Sequence, residues 1–150
     1  MIEIRAQYSM EFILIFAFSL AIILPFISFM HSEYSKSKED LDESQAKQVL
    51  DQIIVASHNT FYSGYPSRIT LDLYFPRGII SITNQTTINE AVTKSELVFN
   101  FQKGSNINPL IGVAPFRIHC SLNTADGRRK VLIKAEEDAI GTYINITNLK

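Results

Sequence analysis

From Phe12 to Met30 the chain reads FILIFAFSLAIILPFISFM, nineteen residues without a charge. As a helix rising about 1.5 Å per residue, it covers roughly 28 Å, close to the hydrocarbon thickness of a bilayer. A helix buried in a soluble core normally keeps one polar face, whereas this stretch is apolar all round, broken only by Ser19, Ser28 and Pro25. The sequence therefore predicts a membrane segment. A cleaved secretory signal needs small residues just past the apolar run, and bulky Phe29 and Met30 stand there instead. The segment is expected to stay in the mature protein as an anchor, kinked at Pro25, which lacks an amide hydrogen. Arg5 precedes the run and Lys36 and Lys38 follow it. That balance alone does not favour an inside amino terminus.

Beyond the run there is no Gly or Pro until Gly64. The polar stretch SEYSKSKEDLDESQAKQ gives way to apolar residues at Ala46, Val49, Ile53 and Ala56, and at Leu50, Ile54, Ser57 and Phe61. Spacings of three and four mark a helix with one apolar face. Acids are as common as bases on its polar half, which argues against a surface-lying membrane helix. Its apolar half is expected to pack on the domain that follows. Tyr62-Ser63-Gly64-Tyr65-Pro66 ends it, with Gly64 suited to a left-handed cap.

After Pro66 the period changes to two. RITLDLYF (68–75), IISIT (79–83), SELVFNFQ (95–102), FRIHCSLN (116–123), KVLIKAEE (130–137) and TYINITN (142–148) predict six short strands. Pro76-Arg77-Gly78 reads as a turn, KGSNINPLIG as a loop, the polar residues 84–94 as a connection, and Asp126-Gly127 as a hairpin signal. The expected fold class is α+β: a long N-terminal helix, half membrane-spanning and half amphipathic, packed on a small antiparallel sheet. About 85 residues make a thin core, so the sheet is expected to need the helix for stability.

Arg5-Ala6-Gln7-Tyr8-Ser9-Met10-Glu11-Phe12 leads into the apolar run. A basic residue, a small residue and Gln-x-Ser-x-Glu before about twenty apolar residues resembles the class III signal peptide of archaeal type IV pilin-like proteins. The resemblance implies cleavage between Ala6 and Gln7 by a prepilin peptidase at the cytoplasmic face, with Arg5, Gln7, Ser9 and Glu11 as the processing motif. The family prefers Gly where this chain has Ala6. It also implies that the new α-amino group on Gln7 pairs with the Glu11 carboxylate of a neighbouring subunit during assembly. The layout becomes a leader at 1–6, a transmembrane and filament-core helix at 7–31, an amphipathic helix at 32–63 and a β-rich extracellular head at 66–150. The implied partners are the membrane, the prepilin peptidase, other pilin subunits and a pilus assembly platform. PRGI (76–79) is also reminiscent of small archaeal pilins. Read without the resemblance, Glu11 is an acid in a first helical turn that snorkels to the headgroups, and Ser9 is a helix cap.

Other features exclude function classes. Fourteen basic and fifteen acidic residues give a net charge of −1, so no basic surface is available for nucleic acid. One cysteine excludes a disulfide framework and a Cys-rich metal site. Cys120 reads as a small buried hydrophobe. His31, His58 and His119 are too scattered for a local metal motif, and Glu136-Glu137-Asp138 reads as an exposed charged turn. No nucleophile–base pair, phosphate loop or zinc spacing occurs, so no cofactor and no enzymatic activity are expected. Asn84-Gln85-Thr86 and Asn145-Ile146-Thr147 are glycosylation sequons. Tyr62, Tyr65, Tyr74 and Tyr143 read as strand and core material rather than a binding surface.

The expected function is a major or minor pilin of a type IV pilus-like filament serving adhesion or surface attachment, anchored single-pass with its C-terminal domain outside the cell. The alternative is a membrane-anchored extracellular binding module that uses the same signal without polymerising. A third, an anchored enzyme, lacks a catalytic constellation. An archaellin would open its mature chain with small, Gly-rich residues, unlike QYSMEFILIF.

Overall fold

The structure, a computed structural model, describes the backbone of residues 2–89 and 92–149 and the side chains of residues 10–87 and 93–149. The elements are α1 (Ile2–Tyr62), β1 (Arg68–Phe75), β2 (Ile79–Asn89), β3 (Val92–Lys103), β4 (Asn106–Ala114), β5 (Ile118–Ser121), β6 (Gly127–Asp138) and β7 (Gly141–Asn148). The protein is α+β. It divides into two compact units, Met1–Lys38 and Glu39–Lys150.

The first unit is helix alone. The helix continues through Pro25. Every large apolar side chain from Met10 to Met30 is exposed, and the segment reaches a mean hydropathy of 2.7. Ser19 stays satisfied within the helix, its Oγ donating to the Ile15 carbonyl at 2.8 Å. One helix of this length and composition could cross a membrane.

In the second unit, the Glu39–Tyr62 part of α1 buries Ala46, Val49, Leu50, Ile53, Ala56, Ser57 and Thr60, the face that the three- and four-residue spacings predict. The helix ends as its residues dictate. Gly64 takes φ +74°, and its amide donates to the Phe61 carbonyl at 3.0 Å. Pro66 then cannot continue the helix.

The strands form a four-stranded sheet, β1-β6-β7-β5, and a three-stranded antiparallel sheet, β2-β3-β4. The larger is mixed, because β5 pairs with β7 in parallel (Ile118↔Ile144) while β6 pairs antiparallel with both β1 and β7. Polar bonds join the two sheets. The Ile118 amide donates to Ser95 Oγ at 3.0 Å, and Asn84 Nδ2 donates to the Ile118 carbonyl at 2.8 Å. One core results, from Leu50 and Ile53 on the helix through Phe75, Leu97, Phe99 and Phe101 to Ile118, Val131, Ile133, Ile144 and Ile146.

Five sequence expectations change. Among the described residues there are seven strands in two sheets, not six in one antiparallel sheet. KGSNINPLIG contributes to β4 rather than a loop; Pro109 is tolerated because β4 is an edge strand, where a missing amide hydrogen breaks no interior ladder. Residues of the polar 84–94 stretch extend β2 and β3, with Thr83↔Val98 through Asn89↔Val92 in register. Cross-strand polar pairs support that extension, as Thr86 Oγ1 and Ser95 Oγ lie 2.9 Å apart. Asp126-Gly127 makes no hairpin: β5 and β6 are not neighbours, and in that sheet β6 turns tightly into β7 instead, closing at Asp138↔Gly141. Tyr62, Tyr65 and Tyr74 are exposed rather than core.

Gly112 sets how near the helix lies to β4. A methyl group there would stand 2.7 Å from Ile54 Cγ1 and 3.1 Å from Leu50 Cδ1. Gly112→Ala should therefore destabilise the protein, and Gly112→Val should do so by about 1–3 kcal/mol or more, through overpacking. Unfolding midpoints in denaturant read this. Residues 66–150, deprived of the helical face, should also unfold at a lower midpoint than residues 32–150.

Candidate functional site

Two places carry chemistry. The first is the amino-terminal motif. Glu11 is exposed on α1, one residue before the apolar run begins at Phe12. The backbone of Arg5, Ala6, Gln7 and Ser9 is helical, and their side chains lie outside the described residues. With helix on both sides, Ser9 is not a helix cap in this chain, because a cap residue has non-helical backbone.

The second place is the outer face of the larger sheet. Alternation along β6 sends Val131, Ile133 and Ala135 into the core and leaves Lys134 and Glu136 on the other face. On β7, Tyr143 and Asn145 share that face between the core residues Ile144 and Ile146. Glu136 Oε2 accepts from Tyr143 Oη and from Asn145 Nδ2, both at 2.9 Å, and Oε1 accepts from Lys134 Nζ at 3.2 Å. These donors, Asn145 foremost, lower the Glu136 pKa. The hydrogen bond to Glu136 in turn raises that of Tyr143.

Arg117 grips Asp138 with two nitrogens, Nη1 to Oδ2 at 2.8 Å and Nη2 to Oδ1 at 2.6 Å. Nη2 also donates to the Gly141 carbonyl at 2.7 Å. The guanidinium lies 5.5 Å from the centre of the Tyr143 ring, and His119 meets the same ring edge-on at 5.3 Å. Asp138 Oδ1 also accepts from the amides of Ile140 and Gly141, closing the β6–β7 turn. Arg117, more than any other donor, pulls the Asp138 pKa down to about 2. The acidic run Glu136-Glu137-Asp138 thus contributes two clamped carboxylates, and among the described residues no metal-ligating cluster is found.

Both sequon asparagines are half-buried and hydrogen-bonded. Asn84 Nδ2 serves Ile118, as above, and Asn145 Nδ2 serves Glu136. A glycan on either would need the remaining N–H to keep that bond. Cys120 is partly buried beside the core, and desolvation pushes its thiol up to about 11, which makes it a poor nucleophile at neutral pH.

The motif residues were legible from local order. The Arg117–Asp138 clamp was not, because Arg117 lies just before β5 and Asp138 at the end of β6, and no spacing announces them.

The clamp generates a pH prediction. Free aspartate titrates near 3.9, and Asp138 titrates at about 2 in the folded chain. Its stabilisation is complete above about pH 4 and is lost as the pH falls towards 2. Asp138→Asn should flatten the fall of the unfolding midpoint across that window. Arg117→Met should do the same, whereas an undiminished fall in both variants would separate the clamp from acid stability.

No protein-family model matches the chain, and neither does any curated protein or solved structure.

Proposed function

We propose that the chain is a structural subunit, a major or minor pilin, of an archaeal type IV pilus-like surface filament that assembles through its N-terminal helix. The observation that carries this reading is the bare apolar helix from Met10 to Met30 with a carboxylate, Glu11, at its head. Side chains such as Phe12, Leu14, Phe18 and Ile22 must be covered by something outside the chain, since water would leave a large apolar surface exposed. Lipid covers it in the anchored precursor, and neighbouring copies of the same helix cover it in the filament.

The carboxylate favours a filament over a lone anchor. An acid near the bilayer centre costs about 2.5–3.5 kcal/mol, and less towards the interface. A simple anchor has no use for that cost. Cleavage between Ala6 and Gln7 would create an α-amino group near the head of the helix, and pairing it with Glu11 of a neighbour would neutralise both charges away from water. The prepilin peptidase and the assembly platform are the partners this route requires. The Glu39–Lys150 unit would then be displayed outside the cell for attachment. No nucleic acid, cofactor or catalysis enters the reading.

Glu11→Gln keeps the size of the side chain and deletes its charge. The variant should reside in the membrane, correctly cut, while sheared filaments fall severalfold or disappear on immunoblots. Filaments at the wild-type level would favour an anchored binding module instead. Ala6→Gly should be processed normally and Ala6→Leu should not, because a small side chain is required at the scissile position. Gel mobility of the product distinguishes these outcomes.

A further inference from the structure

We propose that the cleft where the α1–β1 loop meets β6 and β7 is a saccharide-binding site. It has a volume of about 650 Å³ and is lined by Tyr65, Arg68, Lys134, Glu136, Glu137 and Tyr143, among others. That size suits a small molecule, since ligand sites typically span about 300–1,000 Å³.

The lining is held rigid from behind. Ser67 pins the loop that carries Tyr65: its amide donates to Gly64 at 2.9 Å, its Oγ donates to Thr60 at 2.6 Å, and its carbonyl accepts from the Ala135 amide at 2.9 Å. The Tyr65 side chain is nonetheless 63% exposed, so a large ring is presented to solvent on a fixed backbone. Across the cleft, Tyr143 is tethered by its hydroxyl to Glu136 and covered by Arg117, which Asp138 fixes in turn. Glu136 is oriented by three donors. Binding groups whose geometry is fixed in advance lose less entropy when a ligand arrives.

The chemistry of the lining selects the class of ligand. Arg68 and Lys134 face each other as register partners on β1 and β6, and Glu136 and Glu137 offset their charge. The cancelling charges give no net pull on a polyanion. The lining is too polar for an apolar ligand, which would leave these groups unpaired. A neutral polyhydroxylated ring fits both limits. Each hydroxyl can donate to Glu136 or Glu137 and accept from Arg68 or Lys134, while the apolar C–H face of the ring lies on Tyr65. This extends the filament reading by naming what an exposed attachment domain would hold, and the cleft itself requires no polymerisation.

The test uses the full chain in a zwitterionic detergent free of sugar headgroups. Saturation-transfer NMR is run with the methyl glycosides of glucose, galactose, mannose and N-acetylglucosamine, and separately with inorganic phosphate and glucuronate. Because the chain has six tyrosines and no tryptophan, tyrosine fluorescence titration gives the affinity. At least one neutral glycoside should bind. Tyr65→Ala should weaken it by about tenfold, Tyr65→Phe should preserve it, and Glu11→Gln should leave it unchanged even where filaments are lost. Binding by no neutral glycoside, a response to phosphate or glucuronate alone, or binding indifferent to Tyr65→Ala would each overturn the site.

Discussion

The helical face from Ala46 to Thr60 holds the second unit together. Neither sheet is large, and the core they share closes only because Val49, Leu50, Ile53 and Ala56 complete it. Gly112 lets Leu50 and Ile54 come down onto β4, while Phe61 stacks on Phe116 with ring centres 4.3 Å apart near the end of the helix. Lys103, between Asp40 at 2.7 Å and Glu43 at 2.7 Å, ties the start of this helical portion to the end of β3. That ion-pair cluster is largely exposed, so its part is to fix position more than to stabilise. The apolar face supplies the stability.

The same helix carries an opposite pattern towards its amino terminus. Its side chains from Met10 to Met30 are all exposed. One element is therefore amphipathic where it packs on the sheets and apolar on every side from Phe12 to Met30. That contrast is encoded in residue type alone: charged and polar residues return at His31-Ser32-Glu33, and the three- and four-residue apolar period begins at Ala46.

Local sequence suffices where one physical principle dominates. β1 was expected at 68–75 and lies at Arg68–Phe75, because strict alternation and a following Pro-x-Gly turn agree. The buried helical face matched its spacing for the same reason. Misreadings arose where a long-range fact decided the outcome. KGSNINPLIG reads as a loop, yet its Pro109 sits in β4, an edge strand, and Asp126-Gly127 reads as a hairpin although β5 pairs with β7 instead of β6. Gly127 does take φ +105°, so the turn chemistry was legible while the strand order was not. Tyr74 and Tyr143 lie on strands as expected, but Tyr62, Tyr65 and Tyr74 are exposed, because sequence shows an aromatic residue without showing which face it takes. Tyr65 stands out on a loop pinned by Ser67, a contact across the chain that no local pattern contains. The motif at Arg5–Glu11 is legible as a string, and the cleavage proposed for it is a covalent step that a fold does not display.

On the reading proposed above, the apolar segment is an anchor that becomes a filament core after a short leader is removed. Intact mass and amino-terminal sequencing of the protein extracted from membranes, with and without the prepilin peptidase, test it most directly. Peptidase-positive cells should yield a chain lacking residues 1–6 and beginning at Gln7, and peptidase-negative cells an uncut chain. A product that has lost everything through Met30, or an uncut chain in both, would contradict it.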